Sequence, residues 1–290
     1  MSGRSRRRLW RSVAAGCCVL SATASTACGG GASRDMTPPS GSQSVTMRVL
    51  QMNLCDSGIA GCYTGRAVAE AAAVMRAERP DIVTLNEVCR DDVSVLKRAL
   101  SGAEHGGIVS SAFEAAVQPR GSDAVRCRNG EQYGIGLLAR VGPPYRGHTT
   151  SGARYPSQDP ADTEQRVWLC VHAIAHFYAC TTHLTSTSQA VALSQCRHLM
   201  ETAIPALRTH NPSDPVILGA DLNLSDDQSP NAQTCVPPSF VRTDDGGTQY
   251  IVVSASFSVI SSSVIDMHGT TDHPGLLDDL ATDGTHRHPG

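Results

Sequence analysis

At 290 residues with 40% hydrophobic content, the chain is long enough to bury one large core or two modest ones, which excludes a polypeptide disordered throughout. Its formal charge of −3 includes Arg4, Arg6, Arg7, Arg8 and Arg11 near the start; without them 19 basic residues face 27 acidic ones, about −8. That balance excludes a general polyanion binder, so any nucleic acid must be held by a local basic patch.

Residues 1–27 read as an export signal, with the basic stretch Ser5 to Arg11, an apolar run near Val13 to Leu20, and the small residues Ser25, Thr26 and Ala27 before Cys28. The apolar run is too short and too interrupted for a transmembrane helix. The paired arginines after Ser5 fit a twin-arginine signal, and Cys28 followed by Gly29, Gly30 and Gly31 fits a lipidated cysteine. Ser25 departs from the aliphatic residue usual three places before such a cysteine, which leaves free secretion as the alternative. Either route gives a location outside a bacterial cell, soluble or membrane-anchored. Residues 28–46, rich in Gly, Ser, Thr and Pro, read as a flexible tether.

A catalytic domain is expected over residues 47–282, with a short tail at 283–290. Met47 to Met52 is a strand-length apolar run, and Tyr63 to Arg79 carries Ala67, Val68, Ala71, Val74 and Met75 at helical spacing before Pro80. Asp81 to Leu85 reads as a buried strand and Asp91 to Leu100 as a helix. Further strands are expected at Ile108–Val117, Tyr133–Ala139, Val167–Val171, Phe177–Thr182, Val216–Leu218, Tyr250–Val253, Ser258–Ile265 and Pro274–Leu280, with one longer helix over about Ser188 to Leu207. Many strands, few helices and no regular βαβ alternation suggest packed sheets with helices outside.

Removing Cys17, Cys18 and Cys28 leaves eight cysteines, an even set without zinc spacing, which reads as disulfides in an oxidising compartment. A hairpin turning near Ala173 to His176 sets Cys170 opposite Cys180, and Cys55 with Cys62 closes a short loop. Cys89 with Cys127 and Cys196 with Cys235 are the remaining expected pairs.

Five strings place polar residues at the ends of apolar runs: VLQMN, DIVTLNE, ACTTH, VILGADLN and GTTDH. Their order resembles the endonuclease/exonuclease/phosphatase superfamily, which includes deoxyribonuclease I-like nucleases, phosphatases of inositol lipids and neutral sphingomyelinases. The resemblance covers about Met47 to Leu280. It implies an α/β fold, a four-layer sandwich of two mixed β-sheets flanked by helices.

Hydrolysing a phosphodiester near neutral pH requires an activated water, a counter-charge on the phosphoryl oxygens and help for the leaving oxygen. Mg²⁺ or Mn²⁺ takes oxygen ligands from few side chains, and the resemblance assigns Asn53, Glu87 and Asp272 to that ion. In GADLN, Asp221 and Asn223 fall on one side of an extended chain, one to orient water and the other to contact phosphate; an Asx-type turn after the strand is the bland alternative. Histidine suits proton sharing at physiological pH. The resemblance makes His273 a base or transition-state stabiliser and His183 the group that contacts the scissile phosphate. It also gives Arg166 a grip on phosphate oxygens, a contact suited to the bidentate guanidinium.

One position departs from the family pattern. Gln249, in GTQYIVVS, stands where relatives carry an aspartate that orients the catalytic histidine. Its carbonyl can accept a hydrogen bond but supplies no charge.

These features point to an exported divalent-metal phosphodiesterase, most simply a nuclease, with an insert from Gln118 to Arg128 whose Arg120, Arg126 and Arg128 suit a nucleic-acid backbone, a solvated loop pinned by Cys127 being the equal alternative. The alternatives are a phospholipid head-group phosphodiesterase or phosphatase of the same fold, and a non-catalytic binding module. No obligate protein partner is evident.

Overall fold

The computed structural model describes residues 45–102 and 106–282, so the expected export signal, almost all of the tether and the tail lie outside the described residues. Chain order begins with β1 (Val45–Asn53), α1 (Ala67–Glu78), β2 (Ile82–Cys89), α2 (Arg90–Ser101), β3 (Ile108–Ala115), β4 (Tyr133–Val141) and β5 (His148–Arg154). It continues through β6 (Val167–Ala173), β7 (Phe177–His183), α3 (Gln189–Arg197), α4 (Ile204–Leu207), β8 (Val216–Asp221), β9 (Phe240–Asp244), β10 (Gln249–Ser254), β11 (Phe257–Ile265) and β12 (Gly275–Thr282).

The strands form two six-stranded sheets, ordered β11-β12-β1-β2-β4-β3 and β5-β6-β7-β8-β10-β9. Each is mixed: β1 runs parallel to β2 and β7 parallel to β8, while the other neighbours are antiparallel. Buried strands show continuous apolar runs because both faces are covered. Along β1, Val49 belongs to the core between the sheets, whereas Leu50 and Met52 pack under α1 and α2 with Met75 and Leu96. The second sheet repeats the arrangement, with Leu218 and Tyr250 facing Leu199 and Ile204 of the α3–α4 segment. The result is the expected four-layer α/β sandwich.

Three local differences from the sequence reading have physical causes. Helix α1 starts at Ala67 because the segment before it is occupied by the Cys55–Cys62 loop and a turn through Gly65 at φ 70°. The helix over Ser188 to Leu207 contains a wider π-helical stretch, His198–Ala203, between α3 and α4, with the Ser188 side chain capping its start through the Val191 N–H. Strands β5 and β9 are absent from the sequence reading because each is a largely exposed or half-buried sheet edge, with little apolar alternation to mark it.

All four expected disulfides are present, with Cα separations of 6.0 Å for Cys55–Cys62, 6.3 Å for Cys89–Cys127, 4.0 Å for Cys170–Cys180 and 5.9 Å for Cys196–Cys235. Among the described residues, no helix is long and apolar enough to cross a membrane.

Candidate active site

The C-terminal ends of β1, β2, β7 and β8, together with the start of β10 and the turn before β12, meet at one end of the two sheets. In register, Asn53 pairs with Asn86, His183 with Asp221, and Gln249 with Asp221. The two sheets approach closely here because Gly219 has no side chain: a Cβ at that position would lie 2.0 Å from Thr84 Oγ1.

Backbone irregularities aim the polar groups. The β2–β4 register shifts between Leu85 and Val88, and inside that bulge Glu87 adopts φ 53°, a conformation costly for a residue with a Cβ. Cys55 (φ 45°) and Asn223 (φ 49°) are left-handed too, so among the described residues three of the six non-glycine residues with positive φ flank the same site. Asn223 thereby differs from the extended placement expected from sequence. Its N–H donates to Asp221 Oδ1 at 3.2 Å, an Asx-type turn, and its Nδ2 donates to the Leu184 carbonyl at 2.8 Å. The turn leaves Asp221 Oδ2 facing the site.

Asp221 Oδ2 is the focus of the cluster. It accepts from Asn53 Nδ2 at 3.1 Å and from Gln249 Nε2 at 2.7 Å, and it lies 3.9 Å from His183 Nε2 and 3.7 Å from His273 Nε2. Burial alone would raise the pKa of Asp221, but the two histidines and the two amide donors hold it below the ordinary carboxylate range. Burial and the Arg166 charge act the other way on His183, lowering its pKa and favouring the neutral ring despite the attraction of Asp221 and Glu87.

Glu87 Oε1 accepts from Asn53 Nδ2 at 3.0 Å and lies 4.0 Å from His183 Nε2. Asn53 Oδ1 is tied to the Cys55 N–H at 3.1 Å. Among the described residues, the basic groups within 4.0 Å of Glu87 or Asp221 are the rings of His183 and His273. Two carboxylates sharing one neutral amide and lacking a lysine or arginine counter-ion fit a hard divalent cation. Asp272, the third expected ligand, is exposed, with Oδ1 3.9 Å from His273 Nε2. It also accepts from Thr271 Oγ1 at 3.4 Å and lies near Cys55 and Cys62, whose sulfurs are committed to their disulfide.

Arg166, the expected phosphate contact, is buried and ion-paired. Its side chain is 6% exposed, donates to Asp162 from Nε at 2.8 Å, and places Nη1 2.9 Å from Glu164. Burial pushes the Glu164 carboxyl up to about 7 even though Arg166 pulls it down, and Asp162 and Glu87 add to the rise. Gln249 also differs in detail from expectation: its amide nitrogen, not its carbonyl, faces His273, 3.3 Å from Nδ1.

The sequence reading missed Gln51, Asn86, Glu164 and Tyr133, whose hydroxyl donates to Glu87. Gln51 and Asn86 are fully buried among apolar neighbours and join both sheets to the site, with Gln51 Nε2 donating to Asn86 Oδ1 at 2.7 Å and to Gln249 Oε1 at 3.0 Å. Their signal was a polar residue inside an otherwise apolar strand, two places before Asn53 and one before Glu87.

Residues 59–273 match the model of the Endonuclease/Exonuclease/phosphatase family. No curated protein matches the chain in sequence. An endonuclease/exonuclease/phosphatase from Beutenbergia cavernae DSM 12333 superposes with a TM-score of 0.60 at 20% identity, over 82% of this chain and 72% of that one. An endonuclease/exonuclease/phosphatase family protein from Bacteroides thetaiotaomicron gives 0.61 at 16% identity, over 86% and 99%. A mannosyl-6-phosphatase from the same organism gives 0.56 at 14% identity, over 81% and 99%.

Proposed function

This chain belongs to the endonuclease/exonuclease/phosphatase family and is a phosphoester hydrolase, and from that premise we propose that it is an exported Mg²⁺- or Mn²⁺-dependent phosphodiesterase, acting as a nuclease. The observation that carries the reading is the convergence of Asn53, Glu87, His183, Gln249 and His273 around Asp221.

Glu87, with Asn53 and Asp272, would hold the divalent ion, which supplies counter-charge to the phosphoryl oxygens. Asp221, kept ionised by its neighbours, orients the attacking water and accepts its proton. His183, favoured as the neutral ring, donates a hydrogen bond from its N–H to the leaving oxygen and keeps that proton, the leaving oxygen taking its own proton from water, and His273 closes the opposite side of the phosphoryl group. Asn223 fixes the turn that presents Asp221. Arg166 adds a buried positive charge near His183. A nucleic-acid backbone suits the exposed Arg120, Arg126 and Arg128, because Cys127 ties their loop to Cys89, two residues beyond Glu87.

A second reading, a phospholipid head-group phosphodiesterase, is favoured by one feature. Ile59 and Tyr63 are 66% and 39% exposed within and just beyond the Cys55–Cys62 loop, whose first cysteine adjoins Asn53. A lipidated Cys28 would hold such a site at a membrane. The non-catalytic alternative is disfavoured by the strained placement of Glu87.

The test is an assay of the purified mature protein with Mg²⁺, Mn²⁺ or chelator against plasmid DNA, RNA, sphingomyelin vesicles and a chromogenic phosphodiester. Metal-dependent cleavage of nucleic acid is expected. Cleavage of sphingomyelin alone would move the assignment to the lipid reading, and no metal-dependent hydrolysis of any substrate would overturn both.

A further inference from the structure

Two backbone groups settle which way a chain of buried amides points. The Asp221 N–H can only donate, and it reaches Asn86 Oδ1 at 2.9 Å; the Thr182 carbonyl can only accept, and Asn86 Nδ2 meets it at 3.1 Å. With both ends of Asn86 fixed, the Gln51 atom 2.7 Å from Asn86 Oδ1 must be the amide nitrogen. The same nitrogen lies 3.0 Å from the Gln249 side chain, so the atom it meets there must be the carbonyl oxygen.

Gln249 is left with its NH₂ group at the site, 2.7 Å from the Asp221 carboxylate and 3.3 Å from both His273 Nδ1 and Thr248 Oγ1, a hydroxyl that can itself turn to donate. A donor aimed at Nδ1 needs a lone pair on that nitrogen, and a neutral imidazole then keeps its proton on Nε2. Nε2 is also the atom that faces Asp221 Oδ2, at 3.7 Å, where an N–H is favoured over a lone pair. Gln51, Asn86 and Gln249 are all fully buried, so reversing any one amide would leave opposed donors or opposed acceptors without water to relieve them.

We propose that Gln51 is a positioning residue that acts through Gln249 to hold neutral His273 with its proton on Nε2, making the ring a hydrogen-bond donor to the phosphoryl group and leaving Asp221 as the acceptor of the water's proton. The role given to the ring rests on the phosphodiesterase reading; the tautomer does not. With the opposite tautomer, Nε2 would present a lone pair and compete with Asp221 for that proton.

The experiment is imidazole nitrogen NMR on ¹⁵N-labelled protein with Mg²⁺ added, at a pH where His273 is neutral, alongside steady-state kinetics on a phosphodiester. In the native protein, His273 Nδ1 should resonate as unprotonated and Nε2 as protonated. Gln51→Met keeps the volume and removes the donor to Gln249 Oε1, so that the Asp221 carboxylate alone still orients the Gln249 amide and its NH₂ is free to move off Nδ1. The Nδ1–H form should then appear, with kcat down by about tenfold to a hundredfold and KM unchanged.

Should that variant fail to fold, Gln249→Met removes the donor at Nδ1 itself and is expected to lose the same tautomer preference. A native ring protonated on Nδ1 would overturn the proposal, as would a folded Gln51→Met protein with the native tautomer and native kcat. The native tautomer in a protein that hydrolyses no phosphoester would overturn the functional reading and leave the positioning by Gln51 standing.

Discussion

Asn53 donates from one amide nitrogen to Glu87 Oε1 at 3.0 Å and to Asp221 Oδ2 at 3.1 Å, so a single neutral group ties together carboxylates from the two sheets. This bridge separates two kinds of damage. On the side of Glu87, loss of charge weakens the hold on a cation; on the side of Asp221, the neighbouring histidines lose their partner.

The first prediction follows from that separation. Glu87→Gln should weaken divalent-metal binding, while His273→Ala should leave it nearly intact and cut turnover by roughly 10²–10⁴, the range for a group that transfers or shares a proton. Calorimetric titration with Mg²⁺ and steady-state rates distinguish the two. Equal and small losses in both variants would mean that this cluster is not the active site.

A second prediction concerns the crosslinks. Cys55 and Cys89 each lie two residues beyond an expected metal ligand, and their disulfides anchor the ends of β1 and β2. Non-reducing peptide mapping of protein recovered from an oxidising compartment should yield the four pairs, and replacing Cys89 and Cys127 by serine should cost about 2–4 kcal/mol of stability. Recovery of all eight as free thiols would sink both the pairing and the export argument.

What was legible in the sequence divides along a physical line. Buried strands could be read because sheets covered on both faces leave long apolar runs, as in β4 and β6. Strands β5 and β9 could not, since they are short, mostly polar and exposed or half-buried, and so carry no apolar run, unlike the edge strands β3 and β11. Residues of the site were readable where they end an apolar run, as Asn53, His183 and Asp221 do. The Asx-type turn at Asn223 was the bland alternative read from sequence, but local composition did not disclose the bulge that aims Glu87 or the orientation of the Gln249 amide. Each is set by partners far along the chain: the Asn86 carbonyl that anchors the amides is 135 residues from the N–H that fixes it.

Arg166 supplies a third prediction, because its guanidinium is committed to Asp162 and Glu164 in a buried position. Removing one partner of a buried ionic cluster strands the others, so Arg166→Ala should destabilise the protein by about 3–5 kcal/mol. Chemical denaturation measures this directly. A variant of native stability whose only defect is a raised KM would instead place the guanidinium on the substrate phosphate.

The last prediction uses the acidic pair beside the Cys89–Cys127 crosslink. Burial pushes the Asp56 carboxyl from its ordinary value of 3.8 up to about 7, with the hydrogen bond and charge of Asp92 adding to the rise. Asp92 is raised as well, first by burial. Two carboxyls raised side by side are expected to share one proton and to titrate as a pair. Because folding raises the value, the stabilisation from this pair is fully present below the ordinary carboxylate range and is lost as pH rises through about 7. Asp92→Asn removes one charge and supplies an amide that can donate to Asp56, so the variant should gain relative to the native protein between pH 5 and pH 8. On a chain of this size each kcal/mol is worth roughly 2–4 °C in Tm. Thermal melts of both proteins at unit steps of pH cancel the titrations they share. A Tm difference that stays constant across the series would show that Asp56 and Asp92 do not share a proton in the folded protein.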